Sequence, residues 1–163
     1  ITTTETPYRL VRGNMIGEKS IKNINGEFVK EDFVGTRSKD YLSFDFNQSR
    51  LICQQISNGG CSKRLKFIFC SSSDILANSC NYISSDQESL KKLYILLNSS
   101  LLNWRFKVTS SNNHINNYEI DELPIIDLSE INGNIEFDSQ KELDLYVGKL
   151  YGLTEKEIQL VAK

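Results

Sequence analysis

Two different hydrophobic periods divide the sequence near residue 85. Before it, short apolar runs alternate with clusters of Gly, Asn and Ser, a pattern typical of strands joined by exposed turns. The clearest case is 41–46, where Leu42, Phe44 and Phe46 alternate with Tyr41, Ser43 and Asp45, as in a half-buried strand. The other predicted strands lie in RLVRG (9–13), GEFVK (26–30), RLICQQI (50–56) and LKFIFC (65–70), with loops at 23–27, 35–40 and 56–64.

From residue 86 onward the apolar positions recur with the period of a helix. This period predicts one long helix from 86 to about 103, and Ser85 with Glu88 has the S-x-x-E spacing of a capping box at its start. The positions that share its apolar face are Leu90, Leu93, Tyr94, Leu97 and Leu101.

The rest of the chain is predicted from turn and cap signals. SSNNHINN (110–117) is a loop by composition, YEIDELP (118–124) is predicted to be extended, and 132–134 is a turn. Two short helices should begin at Ser139 and Thr154, each of which has a Glu three residues later, and Gly152 can cap the first of them.

These elements predict an α+β fold with a mixed, β-sheet-rich domain, a long central helix and a C-terminal helical pair. We place the domain at 1–135 and the helical segment at 136–163.

The charge is distributed unevenly along the chain. Residues 1–117 hold 15 Lys and Arg against 10 Asp and Glu, a net charge of +5, whereas residues 118–163 hold 4 against 11, a net charge of −7. A modestly basic body is compatible with a polyanionic partner but does not require one. The acidic helical tail is a poor candidate for a DNA groove, so we expect it to serve packing or linkage.

Composition favours a globular protein outside the membrane. Hydrophobic residues make up 39% and charged residues 25% of the 163 positions, and no apolar run approaches the roughly 20 residues of a membrane helix. The first residues lack the basic start and apolar middle of a signal peptide. Because the chain begins at Ile1 rather than Met, we expect a piece of a longer, cytoplasmic polypeptide.

The four cysteines do not have the spacing of a zinc site. Gaps of seven, eight and nine residues match no paired CxxC pattern, and the single His adds little ligand capacity. We therefore predict no metal site and four reduced cysteines in the core, where a free thiol behaves as a small apolar group. These cysteines are Cys53, Cys61, Cys70 and Cys80.

Motifs for autonomous catalysis are absent from the sequence. The two prolines, Pro7 and Pro124, stand too far apart for an Asn-Pro-Pro-aromatic motif, and there is no G-x-G-x-x-G, P-loop, G-x-S-x-G or HExxH. Cys-His catalysis requires His114 beside a cysteine, but a loop His is more often a polar contact or a surface residue. We predict no catalytic residue, although a nuclease with an unrecognised site remains an alternative.

Several phrases, in order, resemble one family of proteins. They are RLICQQISNGGCSKRLKF (50–67), LANSCNYI (76–83), LLNSSLLNWRFK (96–107) and SSNNHINNYEIDELPI (110–125), with LYVGKLYGLTEKEIQLV (145–161) near the end. Together they resemble the C-terminal target-recognition region of Type IIS and IIG restriction-modification adenine-specific DNA methyltransferases, which are relatives of the TaqI-type specificity domain. The likeness covers about two thirds of the chain.

The resemblance implies a division of labour within a bacterial or archaeal protein. A separate catalytic domain, N-terminal in the same polypeptide, would bind S-adenosylmethionine and methylate adenine at N6, while this segment binds double-stranded DNA and selects the site. No cofactor is expected in the segment itself. The alternative is a protein-interaction module that uses the acidic helical tail.

Basic and amide-rich loops supply the candidate DNA contacts. Lys and Arg grip phosphate groups, whereas Asn and Ser can also bind base edges. The competing hypothesis for each is a turn that serves only the fold, because Asn and Ser side chains readily bond the local backbone. The candidates are Arg37, Ser38, Lys39, Ser62, Lys63, Arg64, Asn112, Asn113 and His114.

Four other conspicuous residues are predicted to serve structure. Trp104 and Phe106 alternate with cations and could stack on an unpaired base, but core packing is the preferred role for both rings. Asn78 and Asn81 are expected to be buried amides at a strand edge.

Overall fold

The protein has the predicted α+β fold. Its computed structural model describes residues 1–22, 26–36, 48–110 and 112–163. They form two compact units: unit 1 comprises Ile1–Ile56 and Phe67–Ser85, and unit 2 comprises Ser57–Lys66 and Asp86–Lys163. The predicted domain boundary after residue 135 stays a prediction.

Unit 1 contains two small sheets that differ in strand direction. In the antiparallel sheet, of order β3-β2-β5, Leu51 of the central strand lies opposite Phe69 on one side and Ile83 on the other. In the second sheet, β1 and β4 pair in parallel. The strands are β1 (Leu10–Val11), β2 (Arg50–Gln54), β3 (Ile68–Cys70), β4 (Ile75–Leu76) and β5 (Cys80–Ser84). Unit 1 also holds a 3-10 turn at Gly13–Met15 and the short helix α1 at Glu31–Thr36.

The core of unit 1 forms around the central strand. Leu51, Ile52 and Cys53 of β2 are consecutive and all fully buried, so both faces of this strand are covered. A strand covered on both faces has a continuous apolar run instead of an alternation, and RLICQ is such a run. One buried cluster comprises Val11, Ile16, Ile52, Ile68 and Cys70.

The strand predictions for this half are partly confirmed. The runs at 9–13, 50–56 and 65–70 each contain a strand. The prediction for 26–30 is wrong, because only Phe28 forms isolated bridges there, to Thr2 and Arg9. The strand predicted at 41–46 lies outside the described residues.

Two further predictions in unit 1 need correction. Asn81 is buried and lies opposite Cys53 in the sheet, as expected of a structural amide, but Asn78 is exposed at the turn before β5. The loop predicted at 35–40 begins too early, since Gly35 and Thr36 belong to α1. Thr36 donates its hydroxyl to the carbonyl of Asp32, four residues earlier, a bond that Thr side chains commonly make within a helix.

The cysteines differ in burial. Cys53 and Cys70 are buried as predicted and Cys80 is half-buried, but Cys61 is exposed. Its backbone N–H bonds the carbonyl of Asn58 at 2.9 Å, which places it in a surface turn. Burial raises the pKa of Cys53 and that of Cys80 to about 12, and it also raises the pKa of Cys70.

Cys61 should therefore be the one thiol that reacts rapidly in the folded chain. With an aromatic disulfide reagent at about pH 8 we expect one fast equivalent, because thiols with a pKa near 12 hold almost no thiolate there. Cys61→Ser should remove the fast phase, and full denaturant should expose the other three. Two or more fast thiols in the native chain would contradict this burial pattern.

Unit 2 is built from helices. The described part has α2 (Gln87–Leu97), α3 (Ser100–Thr109), α4 (Asn117–Asp121), α5 (Gln140–Leu150) and α6 (Glu155–Val161), with a 3-10 turn at Leu128–Glu130. Their buried side chains form its core and include Leu90, Leu97, Leu102, Phe106, Leu143, Val147 and Ile158. No helix in the described ranges has both the length and the apolar character needed to cross a membrane.

The prediction of one long central helix is wrong. The helix ends at Leu97 and a new one begins at Ser100, because the Asn-Ser pair between them bonds the backbone. Asn98 donates its amide to the carbonyl of Tyr94 at 2.9 Å, while the extended Ser99 accepts from the N–H of Leu102 at 3.2 Å. The N-cap of α2 is Asp86 rather than the predicted Ser85.

Residues 117–121 are helical, although 117 is predicted to end a loop and 118–124 to be extended. Asn116 precedes this helix and its backbone N–H donates to the carboxylate of Glu119 at 3.0 Å, an N-x-x-E version of the capping box. The predicted loop before it is confirmed for the described residues 110 and 112–116.

The C-terminal helical pair is confirmed, including its caps. Ser139 accepts from the N–H of Glu142 at 3.2 Å, and Thr154 exchanges two bonds with Glu157. The backbone N–H of Thr154, which donates to the carboxylate of Glu157, and a bond from the Thr154 side chain hold the pKa of Glu157 below its usual range. Gly152 ends α5 at φ +76°, a conformation that L side chains rarely adopt.

Buried Asp144 of α5 connects two helices of unit 2. Its carboxylate accepts from the N–H and the hydroxyl of Ser100, at 2.8 and 2.6 Å, at the first turn of α3. It also accepts from the amide of Gln140 at 3.0 Å. An anion suits this end of a helix, so the contact fixes where α3 begins.

Candidate nucleic-acid interface

Two loops of unit 2 that are distant in sequence lie side by side. Ser57 donates its N–H to the carbonyl of Asn113 at 2.8 Å, and Gly59 donates its N–H to the amide oxygen of Asn113 at 2.7 Å across 54 positions of sequence. We call residues 57–64 together with 110 and 112–114 the loop pair. It brings together the candidate contacts of two separate segments.

Asn103, in the middle of α3, holds the first loop to that helix. Its amide oxygen accepts from the N–H groups of Arg64 and Leu65, at 2.8 and 3.1 Å. Its amide nitrogen donates to the carbonyl of Ser62 at 2.8 Å. Asn103 is only 8% exposed, so water has little access to its amide, and the three bonds satisfy the amide instead.

Arg64 joins the two loops from within. Its guanidinium donates to the hydroxyl of Ser110 at 2.6 Å and to the carbonyls of Asn112 and Ser57 at 2.8 and 3.2 Å. The same group lies over the ring of Phe106, 5.0 Å from its centroid, a cation–π contact. Arg64 is 3% exposed, and therefore acts as an internal anchor of the loop pair.

A cavity of about 230 Å³ opens beside this anchor. Five of its six described lining residues are polar or basic, the sixth is a glycine, and none is acidic. They are Gly59, Arg64, Lys107, Ser110, Asn112 and Asn113. Lys107 comes from the last turn of α3, is exposed, and has its ammonium 3.5 Å from the carbonyl of Ser62.

The loop pair contains six of the nine predicted contact residues. Ser62, Asn112, Asn113 and His114 are exposed, Lys63 is half-buried and Arg64 is buried. The ammonium of Lys63 lies 3.4 Å from the amide oxygen of Gln140. The other three candidates, Arg37, Ser38 and Lys39, lie outside the described residues, and contact with DNA stays a prediction for all nine.

The two asparagines of the second loop both accept a backbone hydrogen bond that serves the fold. The amide oxygen of Asn112 accepts from the N–H of His114 at 2.8 Å, while that of Asn113 accepts from Gly59. Asn112 therefore stabilises a local turn, and Asn113 joins the two loops. Because these bonds use the amide oxygens, each amide nitrogen still carries two donors at an exposed position.

The prediction for the neighbouring aromatic rings is half right. Phe106 is 1% exposed and packs in the core under Arg64, as expected. The prediction that Trp104 packs in the core is wrong, since this residue is 46% exposed. The buried positions of α3 are Leu102, Asn103 and Phe106, and at about 100° per residue Trp104 lies on the other side of the helix.

Asn103, Lys107, Ser110 and Gly59 complete the site, and none of them is predicted from the sequence. The best available signal is Asn103, since Asn is unfavourable in a helix interior unless its side chain bonds a particular partner. Lys107 resembles any cation at the end of a helix. The sequence holds no comparable signal for Gly59 or Ser110.

The donors of this site suit an anion better than a metal ion. Guanidinium, ammonium, hydroxyl and amide N–H groups all carry hydrogens that bind phosphate or carboxylate oxygens. Among the described residues no group of three or more His, Cys, Asp or Glu side chains could hold a metal ion. The chemistry available here is recognition of negative charge and of hydrogen-bond acceptors.

No protein-family model matches the sequence, and no curated protein matches it. The resemblance to the target-recognition regions of adenine-specific DNA methyltransferases therefore stays a prediction.

Proposed function

We propose that this chain is a sequence-specific, double-stranded DNA recognition domain of a restriction-modification adenine-N6 DNA methyltransferase. The observation that carries the proposal is the loop pair, which gathers Lys63, Arg64, Asn112 and Asn113. The described residues that line its cavity include no acidic one. Clustered cations beside exposed amides are the side chains that duplex recognition needs.

Phosphate contacts and base contacts fall to different residues in this proposal. Lys63 and Lys107 are the cations of the loop pair and its rim whose side chains reach the surface, whereas Arg64 is buried beside the cavity. Exposed Asn112 and Asn113 present amide donors, and Asn can bind adenine in the major groove. Arg64 also keeps the two loops together.

The chemistry of methyl transfer belongs, in this proposal, to a separate catalytic domain of the same polypeptide. That domain would bind S-adenosylmethionine in the cytoplasm of a bacterium or archaeon. The present chain supplies no catalytic residue and sets the site at which the catalytic domain acts. The support for this assignment is the family resemblance of residues 50–125 and 145–161.

A selection experiment tests the proposal. The purified chain is mixed with random duplexes at about 50 mM salt, where phosphate contacts are strong, and bound DNA is recovered by mobility shift and sequenced. Enrichment of one short motif over successive rounds is the expected result. Binding to no duplex at low salt contradicts the proposal, and Mg²⁺-dependent cutting would indicate a nuclease.

A protein-interaction module is the second candidate. It is favoured by Trp104 and Val108, one helical turn apart on α3, which are 46% and 61% exposed. Exposed apolar side chains in one patch are typical of protein contacts. A chain that binds no duplex but forms a complex lost in Trp104→Ala would favour this candidate over DNA recognition.

A further inference from the structure

Arg64, a buried cation of unit 2, has neutral partners in the described part of the chain. The acceptors that it reaches there are a hydroxyl and two backbone carbonyls, at 2.6 to 3.2 Å. Among the described residues no carboxylate lies within salt-bridge distance of Arg64. A guanidinium is always charged at physiological pH, so this positive charge is buried without a counter-ion.

Buried charge without an opposite charge is costly in a protein interior. Two arginines that are only partly buried, Arg9 and Arg12 at 29% and 37% exposure, do have a counter-ion: Arg9 pairs with Asp74 at 2.8 Å, and Arg12 pairs with Glu27 at 2.6 Å. The ring of Phe106 offsets only part of the cost for Arg64. An anionic ligand beside Arg64 would supply the missing charge.

The cavity beside Arg64 has donors for such a ligand. The Nε–H of Arg64, although buried from solvent, also has no acceptor among the described residues. The hydroxyl of Ser110 accepts from Arg64, which leaves its own hydrogen to donate. Lys107 adds a second positive charge at the rim. The volume of about 230 Å³ is several times the ~30 Å³ of a water molecule, and a phosphate group fits within it.

We propose that this cavity, lined by Arg64, Lys107 and Ser110, is a binding site for a phosphate group. The inference deepens the proposed function and rests on it for the source of the phosphate, which is the backbone of bound DNA. A free phosphate ion or a phosphorylated small molecule offers the same chemistry. A phosphate bound at Arg64 would also affect how the two loops are held, because Arg64 bonds a carbonyl in each of them.

The Nε–H resonance of Arg64 gives a direct test in the ¹⁵N-labelled full chain. Inorganic phosphate should shift this resonance and the amide signals of Gly59 and Ser110 in a saturable way, with a dissociation constant of about a millimolar. Chloride at matched ionic strength should not. The Nε–H signal of Arg64 is assigned as the one that disappears in Arg64→Lys. Shifts of this signal and of the two backbone amides locate the bound phosphate.

Lys107→Gln should weaken phosphate binding by roughly fivefold, because one of two charges is removed. Lys149→Gln is the matched control, since Lys149 is also exposed and also lies in the last turn of a helix. Its phosphate affinity should equal that of the unsubstituted chain. Equal weakening in both variants would overturn the site and indicate general screening of charge.

A titration with a short duplex separates the two sources of phosphate. Shifts at Arg64 with both inorganic phosphate and duplex support the site and its DNA source. Shifts with inorganic phosphate alone support the site and count against the proposed function. A duplex that binds while phosphate leaves the Arg64 signals unmoved overturns the site and leaves DNA recognition standing.

Discussion

Asn103→Ala should lower the free energy of unfolding of unit 2 by about 3 kcal/mol. The substitution leaves the N–H groups of Arg64 and Leu65 and the carbonyl of Ser62 without their partner, and each such buried group costs about 1 kcal/mol or more. The measurement is urea unfolding followed by the fluorescence of Trp104, the one tryptophan of the chain, which lies in the same helix.

Helix propensity provides an internal control for this prediction. Alanine is a better helix former than asparagine by roughly 0.6 kcal/mol, so propensity alone predicts that Asn103→Ala stabilises α3. A loss of stability therefore isolates the bonds to the first loop. Stability that is unchanged or raised would show that Asn103 does not hold this loop.

Reversing the charge of Lys63 and Lys107 together should lower duplex affinity by about 100-fold at low salt. Each contact between a lysine and a phosphate releases about one counter-ion from the DNA. Loss of two such contacts should therefore make the slope of log affinity against log salt shallower by about 2. The effect should be similar for every duplex sequence, because phosphate contacts carry no sequence information. Fluorescence anisotropy of Lys63→Glu/Lys107→Glu at several salt concentrations measures both quantities.

A second double variant separates local contact from net charge. Lys149 and Lys156 are exposed on α5 and α6, and Lys149→Glu/Lys156→Glu changes the total charge by the same amount. It should weaken binding only slightly. Equal losses in the two variants would mean that the loop pair is not the contact surface. Arg64 is unsuited to this test because its burial would confuse binding with folding.

Local signals in the sequence predict several elements of the structure correctly. The caps at Ser139 and Thr154 and the stop at Gly152 depend on residues within one turn of each other, and all three are found. The apolar run of β2 likewise identifies the central strand of unit 1. Such features follow from neighbouring residues, whose interactions do not depend on the rest of the fold.

The predictions fail where one segment can form two different structures, or where residues distant in sequence determine which of them forms. The leucine period favours one helix through Asn98 and Ser99, but their side chains bond the backbone and Asp144 caps the new start at Ser100. That carboxylate comes from 44 positions away, so no local window contains the signal.

The candidate site is predicted only in part for the same reason. Composition identifies the two loops as polar and basic, and the structure places them together. The burial of Arg64 depends on Ser110 and Asn112, which come from beyond α3, and on the ring of Phe106. A basic loop residue is ordinarily exposed, so the sequence favours direct contact for a side chain that the fold uses as an anchor.

Hydrogen–deuterium exchange with and without the selected duplex tests the central claim most directly. If the loop pair contacts DNA, peptides that cover 57–66 and 107–116 should exchange more slowly in the complex, whereas the acidic helical pair at 140–161 should be unchanged. A duplex-bound chain whose only protected peptides lie in that helical pair, or outside unit 2 altogether, would contradict the assignment of the DNA-binding surface to the loop pair.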